Sequence, residues 1–250
     1  MKTRVFADKF ALARAAASHA ADAIRRAIHE RGKARILASA RQTSAEFLAA
    51  LTAAADVSWR DVELFHLDEL VGLPAEHPGS SRRYLFDQLI HPVRIGRYHL
   101  LDAEHDPDRT CREEGEELRA APIDVAWASL SENGHLAFNE PPADFSTEKP
   151  YGIVRVDETS RRELVREGRF ASIAEVPDRA ISISLRQLLK ATAVLCIATG
   201  AEWAEAVKRC VEGPVSPLTP ASILQTHADA TIYLDRDSAR LLTPPRPLEA

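Results

Sequence analysis

Two adjacent acidic residues, Asp68 and Glu69, directly follow an apolar segment, residues 62–67, that the sequence predicts to be a strand. A carboxylate at the carboxyl end of a strand is held by a rigid element and faces the crevice where α/β proteins bind ligands. Such a group can act as a general base that takes a proton from a carbon next to a carbonyl. The alternative from the residues alone is a turn or helix-capping aspartate.

A glycine, a histidine and a glutamate share a second loop, residues 131–141, after the apolar segment 123–130. Gly134 permits a sharp backbone turn that presents His135 at the edge of the sheet. Glu140 is near enough in sequence to orient the imidazole and stabilise its protonated form, which suits proton transfer near neutral pH. The alternative is an ordinary surface loop in which the two side chains never meet.

Apolar segments of strand length alternate with helical spacing along most of the chain. Helices are predicted over residues 7–30, 43–51, 80–90, 108–119 and 202–211. Strands are predicted at residues 34–38, 62–67, 98–101, 123–130, 152–156, 180–184, 193–199 and 231–234. This order predicts a doubly wound α/β fold, with a mostly parallel sheet and helices on both faces. We treat residues 1–242 as one domain and residues 243–250, which include three prolines, as an extended C-terminal tail.

Composition excludes several classes of function. The 250 residues carry a net charge of -5, whereas a nucleic-acid surface needs a concentrated positive stripe. No apolar run reaches the roughly 20 residues of a membrane span, and the N-terminal segment lacks the apolar centre of a signal peptide. The three cysteines are spaced as neither a zinc site nor a disulfide framework, so we expect a cytoplasmic protein without a metal site. His66 is interpreted as a partly buried, hydrogen-bonded residue in the middle of its strand.

The two loops resemble those of the glucosamine-6-phosphate deaminases, a family related to the 6-phosphogluconolactonases and sharing their doubly wound fold. Residues 65–74, Phe-His-Leu-Asp-Glu-Leu-Val-Gly-Leu-Pro, are similar to the family's block around its base. Residues 133–141, Asn-Gly-His-Leu-Ala-Phe-Asn-Glu-Pro, are similar to its second block. The residues after Gly-His favour the deaminase branch over the lactonase branch. The resemblance spans about residues 34–235.

Carried over residue by residue, the resemblance implies that Asp68 moves a proton between C2 and C1 of the opened sugar. It implies that His135, with Glu140 as its partner, assists ring opening. Asn133 stands where the family often has an aspartate. With an asparagine at this position, Glu140 alone supplies the carboxylate partner of His135. The implied reaction is aldose–ketose isomerisation with loss of the C2 amine as ammonia, without a metal or an organic cofactor.

The same resemblance implies a small-molecule sugar as the partner, with Glu69 and Gly134 among the substrate-binding residues. A homo-oligomer is compatible with the sequence. Two other enzyme classes lack their signatures, because the chain has neither a nucleotide-binding glycine loop nor a Gly-x-Ser-x-Gly nucleophile turn.

The loop after the first predicted strand departs from the family. The family's loop carries glycines that wrap the sugar phosphate in backbone N–H groups, whereas residues 39–44 read Ser-Ala-Arg-Gln-Thr-Ser. Here Arg41 could supply charge, and Thr43 and Ser44 could donate hydroxyls.

Two further positions bear on phosphate binding. Compared with the family's pattern, Trp203 stands where the resemblance implies a phosphate-pairing lysine, and we favour a role in helix packing over one in stacking on the sugar. Arg161, or its neighbour Arg162, aligns loosely with a phosphate-binding arginine. The hypothesis is therefore a deaminase or isomerase whose substrate is anchored differently, unphosphorylated or modified elsewhere.

Two alternatives stay open. One is a sugar-binding regulator that kept the fold and lost turnover, which the altered phosphate loop favours and the retained Asp68, His135 and Glu140 oppose. The other is a 6-phosphogluconolactonase-like hydrolase in which His135 activates water.

Overall fold

Eight parallel strands form the central sheet of this computed structural model, which describes residues 1–41 and 45–249. Their order across the sheet is β11-β1-β10-β9-β6-β2-β3-β5. The strands are β1 (Lys2–Phe6), β2 (Ala34–Ala38), β3 (Val62–His66), β5 (Arg97–His99), β6 (Val125–Ser129), β9 (Ala193–Ala198), β10 (Ala230–Asp235) and β11 (Leu248–Glu249). The predicted doubly wound α/β class is confirmed, although the sequence analysis missed β1, whose first residues are polar.

Helices cover both faces of this sheet. They are α1 (Lys9–Arg31), α2 (Ala45–Thr52), α3 (Ser81–Leu85), α4 (His91–Val93), α5 (Pro107–Arg119), α6 (Glu158–Arg166), α7 (Leu185–Leu188) and α8 (Ala204–Glu212). A π-helical turn (Phe86–Ile90) continues α3, and short 3-10 turns lie at Trp59–Asp61, Ile173–Glu175, Ala201–Trp203 and Pro220–Thr226.

The central strand β6 shows why the apolar segments do not alternate with polar residues. Val125 and Trp127 point into the core shared with α1 and α2. Ala126 and Ala128 point into the core on the opposite face, which also holds residues of α5 and α8. Because both faces of the strand are buried, every position favours an apolar side chain.

A second, antiparallel sheet of three strands corrects the prediction for the middle of the chain. It consists of β4 (Asp68–Leu70), β8 (Arg179–Ile183) and β7 (Tyr151–Arg155), in that order. The segments 152–156 and 180–184 were expected to belong to the mostly parallel sheet. They pair with each other and with β4 instead, because an apolar run of strand length does not specify its partner.

The antiparallel sheet ties the two candidate loops together. Asp68 on β4 pairs in register with Ser182 on β8. The Ser182 hydroxyl in turn accepts a hydrogen bond of 3.0 Å from the backbone N–H of Phe138, within the second loop. Since β3, β2 and β6 are neighbours in the main sheet, the loops that follow them emerge at one edge.

The end of the chain is attached to the main sheet. Leu248 and Glu249 form β11 beside β1, and the Glu249 carboxylate accepts a hydrogen bond of 2.6 Å from Arg4. The division at residue 242 stays a prediction. Among the described helices, none combines the length and the hydropathy needed to cross a membrane.

Candidate functional site

Asp68, the first residue of β4, has a nearly buried side chain with 4% of the residue exposed. Its carboxylate makes no hydrogen bond to a described side chain. Burial raises the pKa of Asp68 to about 6. The charges of nearby Arg41 and Arg169 oppose that rise, and so does the charge of His135. A carboxyl group with this pKa suits proton transfer near neutral pH.

The loop between β6 and β7 turns back on itself and buries His135, which is 1% exposed. Gly134 has a φ of +89°, a left-handed conformation that side-chain-bearing residues rarely adopt. The His135 backbone N–H donates to the Ser131 hydroxyl at 2.9 Å and to Asn133 Oδ1 at 3.1 Å. His135 Nδ1 lies 2.9 Å from Glu140 Oε2, so the two predicted partners form a hydrogen bond. Gly134, predicted to bind substrate, thus has a clear role in shaping the turn.

Both carboxylate oxygens of Glu140 take part in hydrogen bonds. Ser160 donates to Oε1 at 2.6 Å, and the backbone N–H of Asp157 also points to Oε1, at 3.3 Å. Burial favours the neutral acid. The charge of His135 and the hydrogen bonds from His135, Ser160 and Asn133 outweigh that effect and lower the pKa of Glu140 to about 2. Glu140 is therefore a carboxylate across the physiological range, and its hydrogen bond with Nδ1 orients the imidazole.

Asn133 bridges two carboxylates. Its amide nitrogen donates to Glu140 Oε2 at 2.7 Å and to Asp157 Oδ2 at 2.9 Å. An aspartate at this position would have no hydrogens to donate and would face both carboxylates. The asparagine is thus matched to Asp157, which sequence analysis did not single out. Asp157 also caps α6 by accepting from the Ser160 backbone N–H at 2.8 Å.

Glu69 is completely buried and serves the next helix. Its carboxylate accepts hydrogen bonds from the Ser80 hydroxyl at 2.9 Å and from the backbone N–H groups of Ser81 and Arg82 at 3.1 and 2.8 Å. These contacts occupy both oxygens at the start of α3. Substrate binding by Glu69 stays a prediction, and the contacts favour a structural role.

Arg41 lies in a buried ion-pair cluster. One of its terminal nitrogens donates to Glu163 at 2.9 Å and to Glu167 at 2.8 Å. Burial would lower the pKa of Arg41, but the two carboxylates raise it above its ordinary value. The other predicted anion-binding residue, Arg161, donates to the backbone carbonyl of Ile173 at 2.7 Å. The predicted residues Thr43 and Ser44 lie outside the described residues.

Arg169 and His66 are two further buried polar side chains in this part of the molecule. Arg169, which sequence analysis missed, is buried and donates to the backbone carbonyl of Gly79 and, at 3.1 Å, to the Ser81 hydroxyl. The interpretation of His66 as partly buried and hydrogen-bonded is wrong. It ends β3, is fully buried, and neither ring nitrogen has a hydrogen-bond partner among described residues. Burial lowers its pKa to about 3, so the imidazole is neutral.

Trp203 lies at the end of a 3-10 turn before α8 and is 9% exposed. Its ring belongs to the core cluster on the α8 side of the main sheet. This position agrees with the packing interpretation rather than with stacking on a sugar.

Comparisons with known proteins agree with the sequence motifs. The family model described as glucosamine-6-phosphate isomerases/6-phosphogluconolactonase matches residues 7–233. A glucosamine-6-phosphate deaminase from Listeria monocytogenes is 33% identical over 215 residues, which cover 84% of this chain and 89% of that protein. The solved structure of a monomeric glucosamine-6-phosphate deaminase is similar, with a TM-score of 0.87 at 26% identity, over 97% of this chain and 100% of that chain.

A lactonase shares the fold at lower identity. The 6-phosphogluconolactonase of Trypanosoma brucei has a TM-score of 0.79 at 18% identity, over 97% of this chain and 99% of that chain. The sequence likeness is therefore to deaminases, and the likeness to this lactonase is one of fold.

The raised pKa of Asp68 predicts a pH-dependent effect of Asp68→Asn on stability. An acid whose folded pKa lies above its unfolded value destabilises the fold once it ionises, between about pH 4 and pH 6. The difference in free energy of unfolding, variant minus wild type, should therefore be more positive at about pH 8 than at about pH 4, by roughly 2 to 3 kcal/mol. Urea unfolding at both pH values measures this difference. The same difference between variant and wild type at both pH values would contradict the raised pKa of Asp68.

Ser160→Ala should raise the pKa of Glu140, because it removes the 2.6 Å hydrogen bond that stabilises the carboxylate. Carbon-detected NMR titration of the Glu140 carboxyl group measures the shift, expected to be about one unit for a bond worth about 1 to 2 kcal/mol. Ser172→Ala, which removes a surface hydrogen bond to Glu175, is the matched control and should leave Glu140 unchanged. No shift in Ser160→Ala would show that the hydroxyl is not a significant partner.

Proposed function

The chain belongs to the glucosamine-6-phosphate isomerase/6-phosphogluconolactonase family, and from this premise we propose that it is an amino-sugar deaminase. It converts a 2-amino aldose into a ketose and releases the C2 amine as ammonia. The names of its relatives point to glucosamine 6-phosphate or a close analogue as the substrate type. The observation that carries the proposal is the buried Asp68, with its pKa of about 6, within electrostatic reach of the His135–Glu140 pair.

Ring opening is the first step, and His135 suits it. Opening a cyclic sugar takes a proton from the C1 hydroxyl and gives one to the ring oxygen. Glu140 holds Nδ1 of the imidazole at 2.9 Å, and Nε2 makes no hydrogen bond to a described residue. That nitrogen is the one we assign to the sugar. The hydrogen bond to Glu140 keeps the ring in this orientation while the proton passes through it.

Isomerisation is the second step, and Asp68 is its base. The carboxylate removes the proton from C2 of the open-chain amino aldose while the C1 oxygen takes up a proton, which gives a C1–C2 enolamine. Asp68 then returns its proton to C1 as the amine nitrogen loses one, so that C1 becomes a hydroxymethyl carbon and the C2–N bond an imine. Water hydrolyses the imine to the ketose and ammonia. A base that works at neutral pH must be ionised and still basic enough to accept a proton, and a pKa of about 6 meets both needs.

A cytoplasmic location and assembly into a homo-oligomer remain expectations of this proposal. Size-exclusion chromatography with light scattering would measure the oligomeric state directly. A relative of known structure is described as monomeric.

Asp68→Asn should abolish ammonia release from amino sugars while sugar binding remains. The amide cannot accept the C2 proton, and losing a general base lowers the rate by about 100-fold or more. Asp22→Asn, an exposed change on α1, is the matched control and should keep the wild-type rate. A near-normal rate in Asp68→Asn would rule out Asp68 as the base.

The same assay separates the alternatives. Sugar binding without ammonia release by the wild-type protein would support a regulator. Hydrolysis of δ-lactones of sugar acids, without ammonia release from amino sugars, would support a lactonase.

The pH dependence of kcat/KM should show an acidic limb near pH 6. Asp68 must be ionised to act, and burial raises its pKa to about 6. Below that value the rate should fall by about tenfold for each pH unit. A limb near pH 4, the ordinary range of an aspartate, would show that the base is not the buried Asp68.

A further inference from the structure

We propose that His99 is a pH-sensitive link, which holds helix α5 against the outermost strand β5 while both nitrogens of its imidazole carry a proton. The link lies at the β5 edge of the main sheet. It is separate from the candidate site, and the inference does not depend on the proposed function.

The His99 imidazole lies between two carboxylates on different elements. Its Nδ1 is 2.9 Å from Glu114 Oε2 on α5, and its Nε2 is 3.1 Å from Glu63 Oε1 on β3. A neutral imidazole has a single N–H, so one of its nitrogens would direct a lone pair at a carboxylate oxygen. The protonated ring has two N–H groups and donates to both carboxylates. The geometry therefore matches the imidazolium form.

Burial and stacking hold this ring in place. His99 is 9% exposed and pairs in register with Phe65 of β3. The two rings stack with their centres 4.3 Å apart and their planes at 4°, and an aromatic face attracts a cation. Burial would lower the pKa of His99, but the hydrogen bonds to Glu114 and Glu63 and the charges of these groups outweigh it and raise the pKa above its ordinary value.

The charges around the ring balance only when it is protonated. Arg97, on the same strand, contacts Glu63 at 3.2 Å and Glu117 of α5 at 3.1 Å. Arg35 of β2 contacts Glu63 at 2.8 Å. With His99 protonated, the described groups of this cluster are three cations and three carboxylates: Arg35, Arg97, His99, Glu63, Glu114 and Glu117. A neutral His99 leaves one negative charge in excess.

A metal ion fits this cluster less well than a proton does. Glu63, His99 and Glu117 offer ligand atoms close enough together to share an ion. However, the guanidinium groups of Arg35 and Arg97 already lie against the Glu63 carboxylate. A divalent cation would have to displace them or lie beside their charges, which repel it. The cluster is therefore suited to binding and releasing a proton on His99.

Loss of this proton would weaken the attachment of the middle of α5. The end of the helix is held independently, because Arg35 donates to the carbonyls of Glu117 at 2.6 Å and Leu118 at 3.2 Å. Glu114 lies one turn earlier, and its hydrogen bond to the sheet comes from His99. A neutral ring can donate to Glu114 or to Glu63 but not to both. Deprotonation therefore removes one of the two hydrogen bonds that join β3, β5 and α5 through this ring.

Nitrogen-15 NMR of the histidine rings in the wild-type protein measures the charge state directly. At about pH 7, above the ordinary histidine pKa of about 6.5, His99 should show two protonated ring nitrogens. A His99 ring with one protonated nitrogen at that pH would overturn the proposal.

The role of α5 can be tested by the same titration in Glu114→Gln. The amide keeps a polar contact but removes the negative charge, so His99 should lose its proton at a lower pH than in the wild type. Glu116→Gln, an exposed change on the same helix, is the matched control and should leave the titration of His99 close to that of the wild type. Equal titrations of His99 in Glu114→Gln and in the wild type would contradict the link to α5.

The effect on stability follows from the raised pKa. A histidine whose folded pKa lies above its unfolded value stabilises the fold below about pH 6.5, and this contribution is lost as the pH rises through the folded pKa. The unfolding equilibrium constant of His99→Gln, divided by that of the wild type, should therefore be several times larger at about pH 6 than at about pH 9. Urea unfolding at both pH values measures this ratio.

His29→Gln, an exposed change at the end of α1, is the control for the stability measurement. Its ratio to the wild type should change much less between the two pH values. The same ratio for His99→Gln at about pH 6 and about pH 9 would overturn the proposed pH-sensitive link.

Discussion

The candidate site is organised around one constraint, which is that a buried carboxylate, that of Glu140, must stay ionised. An ion removed from water requires a partner for each of its oxygens, and here an imidazole, an amide and a hydroxyl supply them. These donors come from the second loop and from the start of α6. The loop geometry and the position of that helix are therefore set by the same requirement. The imidazole that results is held in one orientation and shielded from water.

The surroundings of the Asp68 carboxylate are the opposite of those of Glu140. Its carboxylate is buried without a described hydrogen-bond donor, so its charged form is destabilised and its basicity rises. Two carboxylates in contrasting surroundings thus differ by several units in pKa, and under the proposed function one would be the base and the other a permanently charged partner of the imidazole. Because burial raises its pKa, the ionised Asp68 lowers the stability of the fold. The backbone of Asp68 is held in the antiparallel sheet by the pairing of β4 with β8.

Sequence analysis identified the residues that lie close together along the chain. Asp68, His135 and Glu140 lie in segments that follow strands of the main sheet, where both the spacing and the family motifs are informative. It missed Asp157, Ser160, Glu163 and Arg169, which reach the site only through the folding of residues 151–183. That segment follows an antiparallel path that apolar periodicity does not distinguish from a parallel one. The neutral state of His66, which has no hydrogen-bond partner among the described residues, could not be predicted either, because it depends on neighbours distant in sequence.

The bridge formed by Asn133 has a consequence for how relatives of this protein can diverge. Its amide nitrogen donates to two carboxylates, those of Glu140 and Asp157. A change of charge at any one of these three residues alone would leave either two like charges in contact or a hydrogen-bond donor without an acceptor. An acid at position 133 becomes acceptable once position 157 turns neutral. The two sites should therefore exchange as a pair during evolution, and a lineage that carries aspartate at the first should carry an uncharged or basic residue at the second.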